Sequence, residues 1–211
     1  MQLYKNFSPI VSVILPTYNR ATLLKRSINS VINQSFNKWE LLVVDDGSDD
    51  NTFEVIKKFQ ENLKNIRYLR HSNRKLPITL NIGIQASCGR FITFLGSDDE
   101  YLPSHLQLRI EYLRNNQNVD LIHGGVKIIG NPFVKDKEDH TKKIHLRNCV
   151  IGGTFLGKRL LFVQLNGFKN IHYSEDSEFF ERAEKLFNIH KVNFPTYIYH
   201  RETMGSITNS I

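Results

Sequence analysis

The sequence predicts an α/β domain built on a mostly parallel sheet whose faces are covered by helices. Two observations lead there. Short, continuously apolar, β-branched runs alternate with stretches of helical periodicity through the first half of the chain, as buried parallel strands and their crossover helices do. Three of those runs also end in unusual polar groups, Thr17-Tyr18-Asn19, Asp45-Asp46 and Ser97-Asp98-Asp99. Open parallel sheets bind ligands beyond the carboxyl ends of their strands, so convergence of these ends predicts a site there.

The elements follow in order. Ile10 to Leu15 reads as a buried strand stopped by Pro16, and Thr17 to Arg20 as a turn. Leu23, Leu24, Ile28, Val31 and Ile32 share one face of a helix. Trp39 to Val44 is the second strand. Phe53, Ile56, Phe59 and Leu63 line one face of the second helix, and Asn51 with Glu54 suggests a capping-box variant at its start. Ile66 to Leu69 is a third strand. Pro77 suits the first turn of a helix running to about Ser87, with Gly89 as its C-terminal stop. Phe91 to Leu95 is the fourth strand, and Pro103 opens a helix with Leu106, Ile110 and Leu113 as apolar positions.

The second half is less regular. Leu121 to Ile129 reads as a strand pair or one long strand, and Lys135 to Arg147 as a charged, solvated loop. Val150 to Leu156 is read as a strand, Glu175 to Phe187 as an amphipathic helix with Phe179, Phe180, Ala183 and Leu186 on one side, and Val192 to Tyr199 as the last strand. We expect a single domain over residues 1–211, with a ligand-binding half at about 9–115 and a second half at about 116–211.

Composition narrows the class. With 40% hydrophobic and 23% charged residues the chain is globular rather than disordered. A formal charge of +7 suits an anionic partner, such as a nucleotide, a phosphate, an acidic polymer or an anionic membrane, and equally serves solubility. No apolar stretch approaches the ~20 residues that span a bilayer. The N-terminal residues lack a signal-peptide pattern. Cys88 and Cys149 form neither a disulfide framework nor a CxxC site, so a cytosolic setting is expected, with peripheral membrane attachment open.

Chemistry is concentrated in a few stretches. In DDGSDDNT, Gly47 turns the chain and Asp49, Asp50 or Asn51 caps the next helix. That leaves Asp45 and Asp46, whose carboxylates could accept from a base N–H or a ribose hydroxyl. Asp98 and Asp99 of SDDE are either a turn before the Pro103 helix or oxygen ligands for a hard divalent cation that carries phosphates. Tyr18 is either a core aromatic or a stacking partner for a base. Arg74 and Lys75 are either surface charge or phosphate partners. Glu175 and Asp176 are either an acidic helix start or the seat of a general base. Arg182, on the same helix, would position an anion or make a surface ion pair.

Assembled, these stretches resemble the inverting nucleotide-sugar glycosyltransferases of family 2, which have the Rossmann-like fold called GT-A. VSVILPTYNRATLLKRSINSVINQSF and WELLVVDDGSDDNT resemble that family's nucleotide-binding signature. LNIGIQASCGRFITFLGSDDEYLP resembles its central segment with the acidic motif, GFKNIHYSEDSEFFERA the segment with the catalytic base, and YHRETMGSIT the C-terminal closing motif. The resemblance runs from about Pro9 to Thr208. It implies that Pro16, Thr17 and Tyr18 line a base pocket and that Asp46 contacts a uracil-like base. Asn19, Arg20, Asp45, Arg74, Lys75, Asn81, Ser97 and Asp98 would complete the donor site, with Ser206 joining it when the tail closes. Asp98, Asp99 and His200 would hold a divalent metal, manganese or magnesium. Asp176 would be the base, with Glu175 beside it.

One departure stands out: Gly96 occupies a position where the family usually has aspartate. The C-terminal residues also lack the Gln-x-x-Arg-Trp motif of processive synthases, which points to single transfers. The implied activity is metal-dependent transfer of a sugar, from a UDP-sugar by expectation, to a hydroxyl on a glycan, lipid-linked or protein acceptor in bacterial envelope or capsular glycan synthesis. No nucleic acid partner is expected. The rival reading is a GT-A-like module that binds nucleotide without catalysis.

Overall fold

The structure is a computed structural model that describes residues 7–139 and 141–203. In chain order its elements are β1 Val11–Thr17, α1 Ala21–Ile32, β2 Trp39–Asp45, α2 Thr52–Asn62, β3 Ile66–Arg70, α3 Leu76–Ala86, β4 Phe91–Phe94, β5 Glu100–Tyr101 and α4 His105–Asn115. There follow β6 Leu121–His123, β7 Val126–Ile129, β8 Phe133–Lys135, β9 Lys143–His145, β10 Leu156–Lys158, α5 Arg159–Gln164, α6 Glu175–Ala183, β11 Ile189–Lys191 and β12 Tyr197–His200.

Seven strands form the main sheet in the order β11-β6-β10-β4-β1-β2-β3. All neighbours pair in parallel except β10, which is antiparallel to both β4 and β6. Every residue of β2 is buried, which explains its apolar run Leu41 to Val44. One face of the sheet packs Leu24, Ile28, Val31 and Ile56; the other packs Leu80, Ile84, Phe162 and Phe179. Three strands from the second half thus extend the sheet that the first half begins.

Several expectations change. Pro16 does not stop β1: it pairs with Val44, and the strand runs on to Thr17. The β4 side of the ladder closes with the Leu95 N–H on Ile14 O (2.9 Å), so the N–H that proline lacks falls where β4 has ended. Asn51 makes no side-chain cap at α2; Asp50 Oδ1 accepts the Thr52 N–H instead, at 3.1 Å. Phe53 is 46% exposed and leans on Tyr68, and Leu186 is 72% exposed beyond the end of α6. Gly89 is no left-handed helix stop: α3 ends at Ala86, and a Cβ on Gly89 would come within 2.6 Å of Ser12 N on β1.

Residues 121–129 are two strands in two sheets. Gly124 and Gly125 (φ 92° and 74°) swing the chain off the main sheet so that β7 joins β12 and β5 in a second, three-stranded sheet. The charged run read as a loop folds as the β8–β9 hairpin, with Val134 and Leu146 buried. Residues 150–156 hold a 3-10 turn at Gly152–Thr154 and only the start of a strand; of the last expected strand, Val192 to Tyr199, only the end is extended, as β12, while β11 lies before it. No helix among the described residues is long and apolar enough to cross a membrane.

Candidate active site

The carboxyl ends of β1, β2 and β4 open into a cavity of about 780 Å³. Pro16, Thr17, Tyr18, Arg20, Asp46 and Lys75 line one end of it, and Glu175 and Asp176 line another part. The β1 and β2 loops are fastened together. Asn19, at φ 52°, donates its N–H to Ser48 Oγ (2.9 Å), and its Oδ1 accepts the Asp49 N–H (2.8 Å). Asp50 Oδ2 accepts the Ala21 N–H at 3.0 Å while its other oxygen caps α2, so one carboxylate serves two helix starts.

The adjacent acids Asp45 and Asp46 part company. Asp45 is buried, accepts the Ser48 N–H (2.8 Å) and the Tyr68 hydroxyl (2.6 Å), and does not line the cavity. Asp46 lines the cavity, but its oxygens accept the N–H groups of Arg74 (2.6 Å) and Lys75 (3.0 Å). Its principal contacts therefore hold the 71–75 loop, with Lys75 in a left-handed conformation at φ 73°. Lys75 and Asn73 reach the cavity; Arg74 does not, and contributes through its backbone.

Behind β4, Gly96 to Asp99 form the acidic loop. Its carbonyls are held by α1: Arg26 donates to Asp98 O, and Ser27 Oγ donates to Asp99 O at 2.7 Å. Asp99 is 3% exposed; Oδ2 accepts the Tyr197 hydroxyl (2.5 Å) and Oδ1 the His200 N–H (2.9 Å). Burial, and then the charge of Asp98, pushes its carboxyl up to about 7. The His200 ring does not face these acids. Its Nε2 lies 2.9 Å from Glu100 Oε1 and its Nδ1 3.8 Å from Glu202 Oε1.

The expected metal set of Asp98, Asp99 and His200 is thus not assembled: no group of three acidic, histidine or cysteine side chains among the described residues could hold a metal ion. Of that set, Asp98 lines the cavity with no hydrogen-bond partner for its carboxylate among the described residues, and Ser97 lines it beside Asp98. One hard carboxylate fits a cation whose other ligands are water and the phosphates of a bound nucleotide.

The second carboxylate pair opens α6. Ser174 is left-handed (φ 63°, ψ 36°), a conformation that serine adopts at some cost, and it turns Glu175 and Asp176 into the cavity. Asp176 Oδ2 accepts the Gly152 N–H (2.9 Å) and Oδ1 the Ser177 N–H (2.8 Å). Burial raises the Asp176 carboxyl despite these two bonds. Burial, and then the charge of Asp176, raises that of Glu175 to about 7. A carboxylate that is oriented and raised toward neutrality is equipped for proton abstraction.

Two expected residues serve the scaffold. Asn81 bonds the Phe168 backbone in both directions, at 2.8 Å each, and does not line the cavity. Arg182 grips Glu178 with two bonds and donates to Leu165 O and Gly167 O. Ser206 lies outside the described residues. Sequence reasoning overlooked Tyr197, the Gly152–Gly153 pair and the β8–β9 wall. The hairpin ties to the α6 region through Lys137–Glu181 and the Tyr173 hydroxyl on Lys135 O (2.8 Å). The apolar Val134 just before the charge run, with Ile144 and Leu146 within it, was the signal for it.

With this geometry in hand, residues 12–196 match the Glycosyl transferase family 2 profile. The chain belongs to that family. Among relatives of family 2, it is 35% identical over 148 residues to the Escherichia coli enzyme WfgD, a UDP-Glc:α-D-GlcNAc-diphosphoundecaprenol β-1,3-glucosyltransferase, covering 68% of this chain and 57% of that one. It is 30% identical over 219 residues to the Campylobacter jejuni GalNAc(5)-diNAcBac-PP-undecaprenol β-1,3-glucosyltransferase, covering 96% of this chain and 70% of that protein.

Among solved structures, TarS 1–349 of S. aureus in complex with UDP-GlcNAc superposes with a TM-score of 0.77 at 22% identity, covering 95% of this chain and 61% of the other. The mannosyltransferase PcManGT of Pyrobaculum calidifontis, in complex with GDP-Man and Mn2+, gives 0.75 at 19%, covering 95% and 59%. The fold is therefore GT-A, as the sequence resemblance implied. The family 2 chain spans 57–70% of the length of these proteins.

Proposed function

We propose that the chain transfers a sugar from a nucleoside-diphosphate donor, a UDP-sugar, to a hydroxyl of a lipid-linked glycan acceptor, with inversion at the anomeric carbon. The carrying observation is that Asp176, oriented by two backbone N–H groups and raised by burial, lines the same cavity as Asp98 and the β1 loop. A base and a diphosphate-facing carboxylate on one cavity suit a single displacement. Family membership and the lipid-linked acceptors named for WfgD and the Campylobacter enzyme support this class.

In this reading the base and ribose lie against Pro16, Thr17 and Tyr18, and the loop that Asp46 holds brings Lys75 toward the phosphates. Asp176 takes the proton of the acceptor hydroxyl as that oxygen bonds to the anomeric carbon. The bond from that carbon to the diphosphate oxygen breaks on the opposite face, which inverts the centre. A divalent cation, held by Asp98 and the donor's own phosphates, would neutralise charge on the leaving group. A lipid-linked acceptor places the protein at the cytoplasmic membrane surface, where its net charge of +7 favours anionic headgroups.

The test is Asp176→Asn, which keeps shape and removes the base. Transfer should fall by at least 1,000-fold, on the order of the larger general-base effects, with UDP affinity close to that of the parent. Turnover comparable with the parent would remove Asp176 from the role. Wild-type protein that binds UDP but never transfers would instead favour a binding module.

A further inference from the structure

The acidic loop and the catalytic base come from segments far apart in sequence, yet one side chain touches the supports of both. Tyr197, on β12, is 2% exposed. Its hydroxyl donates to Asp99 Oδ2 at 2.5 Å and accepts the Gly96 N–H at 3.3 Å, so both its donor and an acceptor site are used within the acidic loop. Its ring presses on the loop that carries the base support. A Cβ added to Gly153 would lie 2.5 Å from both Cζ and the hydroxyl oxygen of Tyr197, closer than carbon atoms approach. The preceding residue, Gly152, is the N–H donor to Asp176 Oδ2.

The ring has no room to retreat. It packs edge-on against Tyr101 at a centroid distance of 5.7 Å, and Tyr101 is itself stacked on His105 at 3.8 Å. Tyr101 is further pinned by its hydroxyl on Phe94 O (2.7 Å) at the end of β4. Gly96 completes the arrangement. A Cβ there would come within 2.7 Å of Asp99 Oδ2, so glycine is what lets the Asp99 carboxylate fold beneath the loop and meet Tyr197.

We propose that Tyr197 is a positioning residue that sets the spacing between the donor-facing acidic loop and the general base, its hydroxyl governing the first and its ring the second. This rests on the glycosyltransferase reading above. The hydroxyl ties Asp99 back and leaves Asp98 as the carboxylate of the loop's acidic pair that is presented to the donor diphosphate. The ring, seated against Gly153, holds the 3-10 turn at the height from which Gly152 can bond Asp176.

Two substitutions separate the two functions. Tyr197→Phe keeps the ring and removes the hydroxyl; donor KM and the Kd for UDP, measured by calorimetry with and without manganese, should each rise about tenfold, with kcat within threefold. Gly153→Ala forces the turn away from a ring that cannot yield; kcat should fall at least tenfold while the UDP Kd stays within threefold. A merely structural tyrosine would give neither split, so parallel losses in kcat and affinity that track melting temperature, or no change in either variant, would overturn the proposal. Wild-type protein that neither binds UDP nor turns over a UDP-sugar would sink the functional reading, and this proposal with it. Normal wild-type activity without the split would sink the proposal alone.

Discussion

Asp46 accepts the backbone N–H of Lys75 at 3.0 Å, and that residue sits at a φ of 73° that lysine rarely adopts. The carboxylate offsets the strain by satisfying this donor and that of Arg74. Asp46→Ala should leave two N–H groups without their acceptor, each costing about 1–3 kcal/mol where water cannot replace it. We expect a lower melting temperature and a UDP affinity reduced about tenfold, seen by thermal unfolding and calorimetry. Asp45→Asn should lower the melting temperature and leave UDP affinity within twofold, because Asp45 bonds Ser48 and Tyr68 behind the cavity.

On the proposed mechanism, the raised Asp176 carboxyl should set the pH dependence of transfer. The base acts ionised, so kcat/KM should fall as pH drops through its folded pKa, and burial puts that acid limb above the ordinary aspartate value of 3.8. A profile recorded from pH 4 to 9 with a saturating acceptor that stays flat down to pH 4 would contradict the burial argument.

Glu175 carries the opposite sign for stability. Its folded pKa of about 7 exceeds the ordinary 4.5, so the folded state prefers the proton. Its contribution to stability is full below the ordinary value and is lost as pH rises through 7. Glu175→Gln should therefore raise the melting temperature by a few degrees at pH 8, with the gain vanishing toward pH 4.

Gly96→Asp would insert the residue the family usually carries, and it should not improve this protein. Its Cβ would lie 2.7 Å from Asp99 Oδ2 and 3.2 Å from Asp98 Oδ1, crowding a third carboxylate onto two. Weaker UDP binding and a lower melting temperature are expected, with Gly96→Ala intermediate. Tighter binding by the aspartate variant would show that Asp99 readily moves aside.

The hairpin wall should govern acceptor rather than donor. Tyr173→Phe removes the bond to Lys135 O. The acceptor KM should rise several-fold, while hydrolysis of the donor in the absence of acceptor stays within twofold.

Sequence alone determined the alternation of strand and helix, the parallel sheet and the convergence of polar strand ends. These follow from local periodicity and from what a doubly covered strand must be made of, as β2 illustrates with every residue buried. It also located Asp98 and Asp176, because carboxylates at strand ends and helix starts are conspicuous wherever they occur. What it could not decide was which acid faces the cavity. Asp45 and Asp46 are neighbours of identical chemistry, and only the approach of Tyr68 and Ser48 to one and of the 74–75 backbone to the other tells them apart. Asp98 and Asp99 both line the cavity and are told apart by their partners, through a tyrosine 98 positions from Asp99 that holds the Asp99 carboxylate. Hydrogen bonds between distant segments leave no period or spacing in the chain, so these assignments belong to the tertiary structure.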